Sequence, residues 1–303
     1  MSNRVESVPG VFAEYTYSFK DIFSLITGIR YDHHNVFGNF YTPRVHLRYK
    51  IGPLTTFRAS AGKGYRVPNT FSENASLLAT SKKLVFDEQL LPEEAWNYGL
   101  FLSRDVLIKK FKATINLDYH RTNFMNQSIV DEDNYPGEIH FYNLNGVSYS
   151  NSFQAELSLK PVKRLEILLA YRINDVKSTY NDVLMSKPLT KKVKGLFTVS
   201  YATKYDKWQF DYTLQYNGRS RLPDTSFTST DIYSPDYFMM NAQVLKRFKK
   251  FELYLGMENI LNFMQMETIQ GYDDPFGTKF DATKIWGPIM GRKIYAGIRF
   301  IIK

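Results

Sequence analysis

The chain of 303 residues contains no cysteine, which excludes disulfides, thiolate nucleophiles and cysteine metal sites. It also lacks any run of about 18 or more apolar residues, so a membrane-crossing helix is excluded. The first ten residues, MSNRVESVPG, have neither the apolar core nor the small-residue cleavage site of a secretory signal peptide. If the protein is exported, we therefore expect its signal peptide to lie upstream of Met1.

Basic residues are in excess, with a formal net charge of +9, but they do not form the pattern that nucleic-acid binding requires. That function needs a basic face or stripe with base-stacking aromatics beside it. Here the cations gather in short stretches between apolar segments, as at Lys163 with Arg164 and again over 246–250. We predict no nucleic-acid partner and interpret these cations as solvated turn residues, with contact to lipid phosphate as the alternative.

Aromatic residues are abundant, with 22 Tyr and 23 Phe, and they occur within segments of strict apolar and polar alternation. Over 111–121 the odd positions are apolar or aromatic up to Tyr119, whereas the even positions from Lys112 to His120 are mostly polar. The segments 208–217 and 294–302 repeat the pattern. Alternation sustained over about ten residues is typical of a tilted strand that crosses a bilayer.

The same alternation predicts about thirteen strands, joined by connections that alternate in length. Short connections centre on Lys20, Gly52, Asp105, Val162, Tyr205 and Lys249, and long ones cover 33–41, 65–91, 123–147, 176–191, 218–235 and 260–292. Such sorting indicates an antiparallel transmembrane β-barrel rather than the alternative, a soluble sandwich or propeller. The predicted strands lie near 9–17, 22–32, 42–50, 54–64, 92–103, 110–122, 148–160, 165–175, 192–202, 207–217, 236–246, 251–259 and 293–302.

Strand parity indicates that the barrel is incomplete. The last strand follows a long loop and so descends, and counting back about thirteen strands makes the first descend as well. Bacterial barrels have an even number of strands, because closure between antiparallel neighbours removes the unpaired edges. We therefore expect further strands upstream of Met1 and no stable closed barrel from residues 1–303 alone.

Several motifs resemble those of the TonB-dependent outer-membrane receptors, particularly the Bacteroidota type. Strand and turn positions around Tyr65, Arg66 and Pro68 resemble the family's aromatic-Arg-X-Pro turn. The segment 91–93, Leu-Pro-Glu, resembles its entry to the next strand, and 258–262, Glu-Asn-Ile-Leu-Asn, is similar to its Asn-Leu-Phe-Asn signature. Gly291 and Arg292 resemble its approach to the final strand. The chain departs from the family in ending on Lys303 rather than on an aromatic residue.

The resemblance implies that residues 1–303 are the C-terminal portion of a barrel of about 22 strands in the cell outer membrane. The plug domain and TonB box would then precede Met1. The implied function is TonB-dependent uptake of a scarce ligand, such as an iron–siderophore or other metal complex. The alternative is a non-transport outer-membrane barrel, either an adhesin or a structural porin relative. Expected partners are outer-membrane lipid, TonB and the plug, and we predict neither enzymatic activity nor a cofactor.

Candidate site residues follow from their position along the predicted strands. Charged side chains within membrane elements usually face the interior and pair, so the polar alternation positions form a lumen-facing set. Near the outer rim we expect ligand contacts from Tyr65, Arg66, Asn69 and His120. Deeper in the lumen we expect plug contacts, with the candidates Arg30, Arg58, Asp118, Asp211 and Arg299.

Histidine provides weak candidates for metal binding or for acid–base chemistry. His33 and His34 are adjacent on a strand and so point to opposite faces, which disfavours a shared metal ion. His120 follows Asp118 on one face and could form an acid–base pair, but a polar lumen needs such residues in any case. We predict no metal site and leave the ligand's identity open, since one fold serves many ligands.

Overall fold

The computed structural model describes residues 5–108, 111–223 and 233–300, and these form a protein built almost entirely of antiparallel strands. Within these ranges, helical structure is limited to α1 (Thr70–Glu73) and two 3-10 turns at Ala75–Leu78 and Lys204–Asp206. No helix within the described ranges has the length and apolar character needed to cross a membrane.

Seventeen strands are present in the described residues. In chain order they are β1 (Gly10–Phe19), β2 (Phe23–His34), β3 (Gly38–Lys50), β4 (Thr55–Arg66), β5 (Lys83–Phe86), β6 (Glu93–Ile108), β7 (Phe111–Asn126), β8 (Ser128–Asp131), β9 (Glu138–Asn143), β10 (Ser148–Lys160), β11 (Leu165–Tyr180), β12 (Val183–Ser186), β13 (Val193–Ala202), β14 (Trp208–Asn217), β15 (Tyr237–Arg247), β16 (Phe251–Glu258) and β17 (Lys293–Phe300).

Thirteen of these strands form one continuous sheet in which each strand pairs with the next in the order β1-β2-β3-β4-β6-β7-β10-β11-β13-β14-β15-β16-β17. This confirms the thirteen strands expected from alternation. In the described residues the sheet is open, with β1 and β17 at its two edges. The remaining short strands lie in the long connections: β12 pairs with β11, and β5, β9 and β8 form a separate three-stranded sheet.

Register divides the large sheet into two faces of opposite chemistry. One row of laterally paired residues runs through Leu117, Ala155, Tyr171, Gly195 and Tyr216. The row one residue along runs through Asp118, Gln154, Arg172, Lys194 and Asn217. Successive side chains of a strand point to opposite faces. We call the first, apolar face the outward face and the second, polar face the lumen face.

Two of the predicted connections are wrong. Asp105 was expected in a turn, but it pairs with Thr114 inside a ladder that continues to Ile108 and Phe111. The segment 33–41 was expected to be a long loop, but β2 and β3 pair as far as His34 with Gly38. Residues 109–110, which belong to the predicted short connection around Asp105, and the end of the last predicted strand at 301–302 lie outside the described residues.

The short connections depend on left-handed backbone. Lys20, Asp21, Arg164, Tyr205 and Asp206 all have positive φ values between 45° and 69°. Tight hairpins favour such residues because their twist matches that of the flanking strands. All five lie at the end of the sheet opposite the long connections.

Candidate functional site

The lumen face carries a hollow of about 430 Å³ near the loop end of the first strands. Arg30 and Arg44 contribute half-exposed guanidinium groups, and each is paired within the sheet, Arg30 with Asp32 at 2.7 Å and Arg44 with Glu14 at 2.6 Å. The predicted ligand contact Tyr65 also lines this hollow. Its ring stacks on Phe40 with 3.8 Å between ring centroids, so its position is fixed by packing.

Lumen-facing glycines make room for Arg44. A Cβ atom added at Gly28 would lie 3.2 Å from the Arg44 Nε atom, and one at Gly62 would lie 3.3 Å from the Arg44 Cβ atom. Contacts this short would force the arginine to move, so glycine allows the side chain to lie along the sheet. Gly64, in contrast, faces open space.

A second lumen-face hollow, of about 440 Å³, lies farther along the sheet and contains Arg58, Asp118 and His120. The Arg58 guanidinium lies over the Phe101 ring, 5.1 Å from its centroid, in a cation–π geometry. His120 lies across Gly99, where an added Cβ would be 3.0 Å from the imidazole Nδ1 atom. The fold therefore brings three of the predicted residues together in one hollow that carries cationic, imidazole and aromatic groups.

The other two predicted ligand residues, Arg66 and Asn69, belong to a structured turn. Arg66 donates two hydrogen bonds to Glu93 Oε2, at 2.9 and 2.5 Å, and lies 3.2 Å from the Glu73 carboxylate. The backbone N–H of Asn69 donates to Glu73 Oε1 at 3.1 Å. These bonds hold the end of β4, helix α1 and the start of β6 together. The aromatic-Arg-X-Pro turn thus has a local structural role. A ligand role for Arg66 and Asn69 remains a prediction.

Asp211 and Arg299 lie toward the short-turn end of the sheet and bond to neighbouring strands. Asp211 accepts hydrogen bonds from Ser200 and from Gln209, the latter at 3.0 Å. Arg299 donates to Glu252 at 3.2 Å, and Arg247 donates to the other oxygen of the same carboxylate. Contact of Asp211 and Arg299 with a plug remains a prediction.

The long connections pack on one another to form a cap over the loop end of the sheet, defined here as residues 67–92, 127–147, 181–192 and 259–292. Its apolar core consists of Leu77, Ile139 and Phe141. The parallel pairing of β5 with β9 joins the first two segments, and a bridge between Thr80 and Asp281 joins the first to the last. Alternation could not predict these contacts, because their partners are far apart in sequence.

A buried charge cluster lies where three cap segments meet. Lys82 Nζ is 3.5 Å from Asp281 Oδ2, and both side chains are at least nine-tenths buried. Glu132 is buried beside them, and burial raises the pKa of its carboxyl to about 7, against the partial opposing effect of Lys82. The cap therefore contains an acid that titrates near neutral pH.

His140 forms a second ionic contact within the cap. Its Nδ1 atom is 2.8 Å from Asp87 and its Nε2 atom is 2.9 Å from Glu138, and its ring stacks on Tyr135 at 3.7 Å. Burial opposes protonation, but the hydrogen bonds to the two carboxylates outweigh it and raise the pKa of the imidazole. No group of three or more His, Asp or Glu side chains suited to a metal ion is found in the described residues.

The Asn-X-X-Asn segment at 259–262 fixes the start of the last loop. Both Asn259 and Asn262 have positive φ, at 48° and 55°. The buried Asn259 amide donates to the carbonyls of Phe263 and Met290, and Asn262 Oδ1 accepts from the Arg292 backbone N–H. The Asn-X-X-Asn motif and the Gly-Arg motif at 291–292 therefore lie side by side, and their hydrogen bonds join the two ends of the 259–292 loop.

An aromatic cluster holds the same loop against the sheet. Tyr237 stacks on Phe263 at 4.6 Å between ring centroids, and Trp286 packs against both. Lys191 lies over the Tyr237 ring at 4.4 Å and donates to the Trp286 carbonyl. Burial lowers the pKa of the Lys191 ammonium to about 8.

An open antiparallel sheet with one apolar and one polar face, short turns at one end and a loop cap at the other has the architecture of a transmembrane barrel wall. The family model described as "TonB dependent receptor-like, beta-barrel" matches residues 2–260. The chain therefore belongs to the TonB-dependent receptor β-barrel family. Membership of the Bacteroidota type remains a prediction.

Three solved structures have a similar fold and low sequence identity to this chain. The ferric enterobactin receptor PfeA of Pseudomonas aeruginosa is 15% identical with a TM-score of 0.69, and the alignment covers 98% of this chain and 46% of that one. The siderophore receptor PirA of Acinetobacter baumannii is 13% identical with a TM-score of 0.66, covering 97% and 46%. The copper transporter OprC is 14% identical with a TM-score of 0.69, covering 97% and 48%.

A curated relative, the ferrienterobactin receptor of Escherichia coli (strain K12), is 26% identical over 72 residues, which is 24% of this chain and 10% of that protein. This chain thus spans less than half the length of these three solved proteins.

Proposed function

We propose that this chain is part of an outer-membrane receptor that takes up a scarce ligand, such as an iron–siderophore or other metal complex, using energy delivered by TonB. The family match over residues 2–260 carries this proposal. Receptors for ferric enterobactin and other siderophores, and a copper transporter, share the fold. Transport, rather than catalysis, is the activity that this architecture supports.

The lumen-face hollows support a negatively charged ligand or plug surface. Arg30 and Arg44 line one hollow and Arg58 lines the other, and the side chains of Arg30 and Arg44 are about half exposed. Arginine presents planar donor pairs that match carboxylates and other oxyanions. Tyr65 and His120 provide additional polar contacts beside these cations. Although Arg30 and Arg44 are paired within the sheet, basic side chains outnumber carboxylates among the described lining residues of both hollows, with Asp32 the carboxylate of the first and Asp118 that of the second. An anionic metal complex would therefore find complementary charge on this face.

The rest of the receptor supplies the remaining parts of the mechanism in this proposal. Upstream sequence would provide the strands that complete a barrel of about 22, a plug inside the lumen, and a TonB box that pairs with TonB by strand addition. The outward face would contact outer-membrane lipid. The open edge of β1 and the partial coverage of the solved receptors support this arrangement.

The test is uptake by cells that express the complete receptor containing this chain. Radiolabelled iron chelates should enter only when both the receptor and a functional TonB are present. Uptake that persists without TonB would instead identify a porin relative, and cell attachment without any uptake would identify an adhesin. Replacing Arg30 and Arg58 with Gln should weaken chelate binding about tenfold or more, whereas Lys204→Gln in a short turn should not.

A further inference from the structure

Four exposed cations lie together on the lumen face where β11, β13 and β14 approach the cap, and we call them the cationic patch: Arg172, Lys192, Lys194 and Arg219. Arg172 and Lys194 belong to the polar lumen-face row and lie directly opposite each other. Lys192 lies two residues before Lys194 and so on the same face. It lies opposite Arg219, to whose carbonyl its backbone N–H donates at 3.3 Å. Like charges therefore face each other in two adjacent rows.

This arrangement costs stability, because like charges directly opposite on neighbouring strands repel each other. Within the described residues, no carboxylate forms an ion pair with any cation of the patch. Arg172 donates two hydrogen bonds to Gln154, at 2.8 and 2.5 Å, but this amide carries no charge. Two carboxylates nearby have other partners: Asp175 lies 4.0 Å from Lys177, and Asp133 pairs with Arg221 at 2.8 Å.

Another pair of opposed cations shows how the sheet relieves such repulsion. Lys112 on β7 lies directly opposite Lys160 on β10. Each has its own carboxylate partner, Asp105 at 3.1 Å for Lys112 and Glu166 at 2.5 Å for Lys160. The cationic patch has no such partners among the described residues, so an anion from outside this part of the chain would stabilise it.

We propose that the cationic patch binds the transported ligand, and that this ligand is a polyanionic metal complex rather than a neutral or cationic one. Two residues along a strand span about 7 Å, so one complex with two oxyanion groups at that separation contacts both rows. The patch lies at the loop end of the sheet, which is the extracellular end of such barrels, and its side chains are exposed. This inference rests on the proposed uptake function and deepens it by naming the charge class of the ligand.

Equilibrium binding to the complete, detergent-purified receptor tests the proposal with three iron complexes. Two are anionic, ferric citrate and a ferric tris-catecholate, and the third is a ferric trihydroxamate without negative charge. We expect at least one anionic complex to bind about tenfold or more tightly than the trihydroxamate. The double variant Lys192→Gln, Lys194→Gln removes one cation from each opposed pair. It should weaken anion binding about 100-fold, since each lost charge-assisted contact costs about tenfold.

The matched control is the double variant Lys112→Gln, Lys160→Gln, which removes an opposed cation pair whose members have carboxylate partners. It should leave binding of all three complexes unchanged.

Thermal unfolding of the same receptor provides a second readout, which distinguishes a bound ligand from a contact with the plug. Without ligand, Lys192→Gln, Lys194→Gln should unfold at a higher temperature than the parent, because the repulsion between opposed cations is relieved. The anionic complex should raise the unfolding temperature of the parent more than that of the variant. If acidic groups of the plug neutralised the patch instead, the variant without ligand would unfold at a lower temperature than the parent.

The proposal is overturned if the trihydroxamate binds as tightly as both anionic complexes, if neither anionic complex binds, if the double variant in the patch binds like the parent, or if that variant is the less stable protein without ligand. TonB-dependent uptake of the trihydroxamate with no preference for anions would overturn this inference and leave the proposed function standing. Anion binding at the patch together with iron uptake that does not need TonB would contradict the proposed function alone.

Discussion

The Arg221 guanidinium donates two parallel hydrogen bonds to the Asp133 carboxylate, at 2.9 and 2.8 Å, across 88 residues of sequence. Both side chains are more than nine-tenths buried. Arg221 Nε also donates to the Ser186 carbonyl at 2.6 Å. One arginine thus joins the connection after β14 to two segments of the cap, and these three hydrogen bonds tie its guanidinium to a carboxylate and a carbonyl.

We expect Arg221→Ala to destabilise the cap by about 3–5 kcal/mol, because the Asp133 charge stays buried after its partner is removed. Hydrogen exchange of the 127–147 and 181–192 segments measures this loss. Lys83→Ala is the matched control, since Lys83 and Glu138 form an exposed pair 3.7 Å apart and exposed pairs contribute little. Equal exchange in the two variants would show that the buried pair does not hold the cap.

Glu132 should make cap stability depend on pH near neutrality. Its pKa is 4.5 in the unfolded reference and about 7 in the fold, so the folded state holds the proton more tightly. This contribution is fully present below pH 4.5 and is lost as pH rises through about 7. Ionisation at higher pH should cost on the order of 3 kcal/mol.

The measurement is hydrogen exchange of the cap between pH 5.5 and 8.5, corrected for the intrinsic exchange rate. Glu132→Gln should remove the pH-dependent loss of protection and make the cap more stable at the upper end of this range. Glu267→Gln, at an exposed position in the last loop, is the control and should keep the parent's pH dependence. A Glu132→Gln profile that matches the parent would contradict the assignment.

Asn259→Ala should loosen the last loop. The substitution leaves two carbonyls, those of Phe263 and Met290, without the amide donor that now binds them, and Asn259 is only 3% exposed. Unsatisfied buried polar groups typically cost about 1–3 kcal/mol each. Limited proteolysis within 259–292 should become faster. Glu258→Ala, which removes an exposed contact to Lys293, should leave the cleavage rate unchanged.

Sequence alternation predicted the thirteen strands because the information is local: Leu117 and Asp118 differ in polarity, and each strand repeats that difference. Alternation does not locate the connection near Asp105. A turn is expected there, yet Asp105 occupies a lumen-face position, where it accepts a hydrogen bond from Thr114 at 2.7 Å and pairs with Lys112 at 3.1 Å. The polarity of a single residue does not distinguish a turn from the lumen face of a strand.

The site could be predicted only in part, for a related reason. Arg58, Asp118 and His120 share a hollow because strand parity placed all three on the lumen face. The pairing of Arg66 with Glu93 and the burial of Glu132 depend on loop packing between distant segments, and alternation carries no information about such contacts. The motifs at Asn259 and Arg292 did indicate a structured region, because hydrogen bonds between them join the two ends of the last loop.

Spin labels at neighbouring positions of β7 test the assignment of the two faces. Leu117 lies in the apolar row with Ala155 and Tyr171, and Asp118 lies in the polar row with Gln154 and Arg172. In the complete receptor in liposomes, a nitroxide at Leu117 should collide readily with oxygen, which concentrates in the bilayer, and rarely with a water-soluble nickel chelate. A nitroxide at Asp118 should show the opposite preference, or become inaccessible to both if a plug covers the lumen face. The pair is its own control, because one residue along a strand changes the face but hardly the depth. If the label at Leu117 reported water, the apolar row would not face lipid, and the assignment of the outward and lumen faces would be wrong.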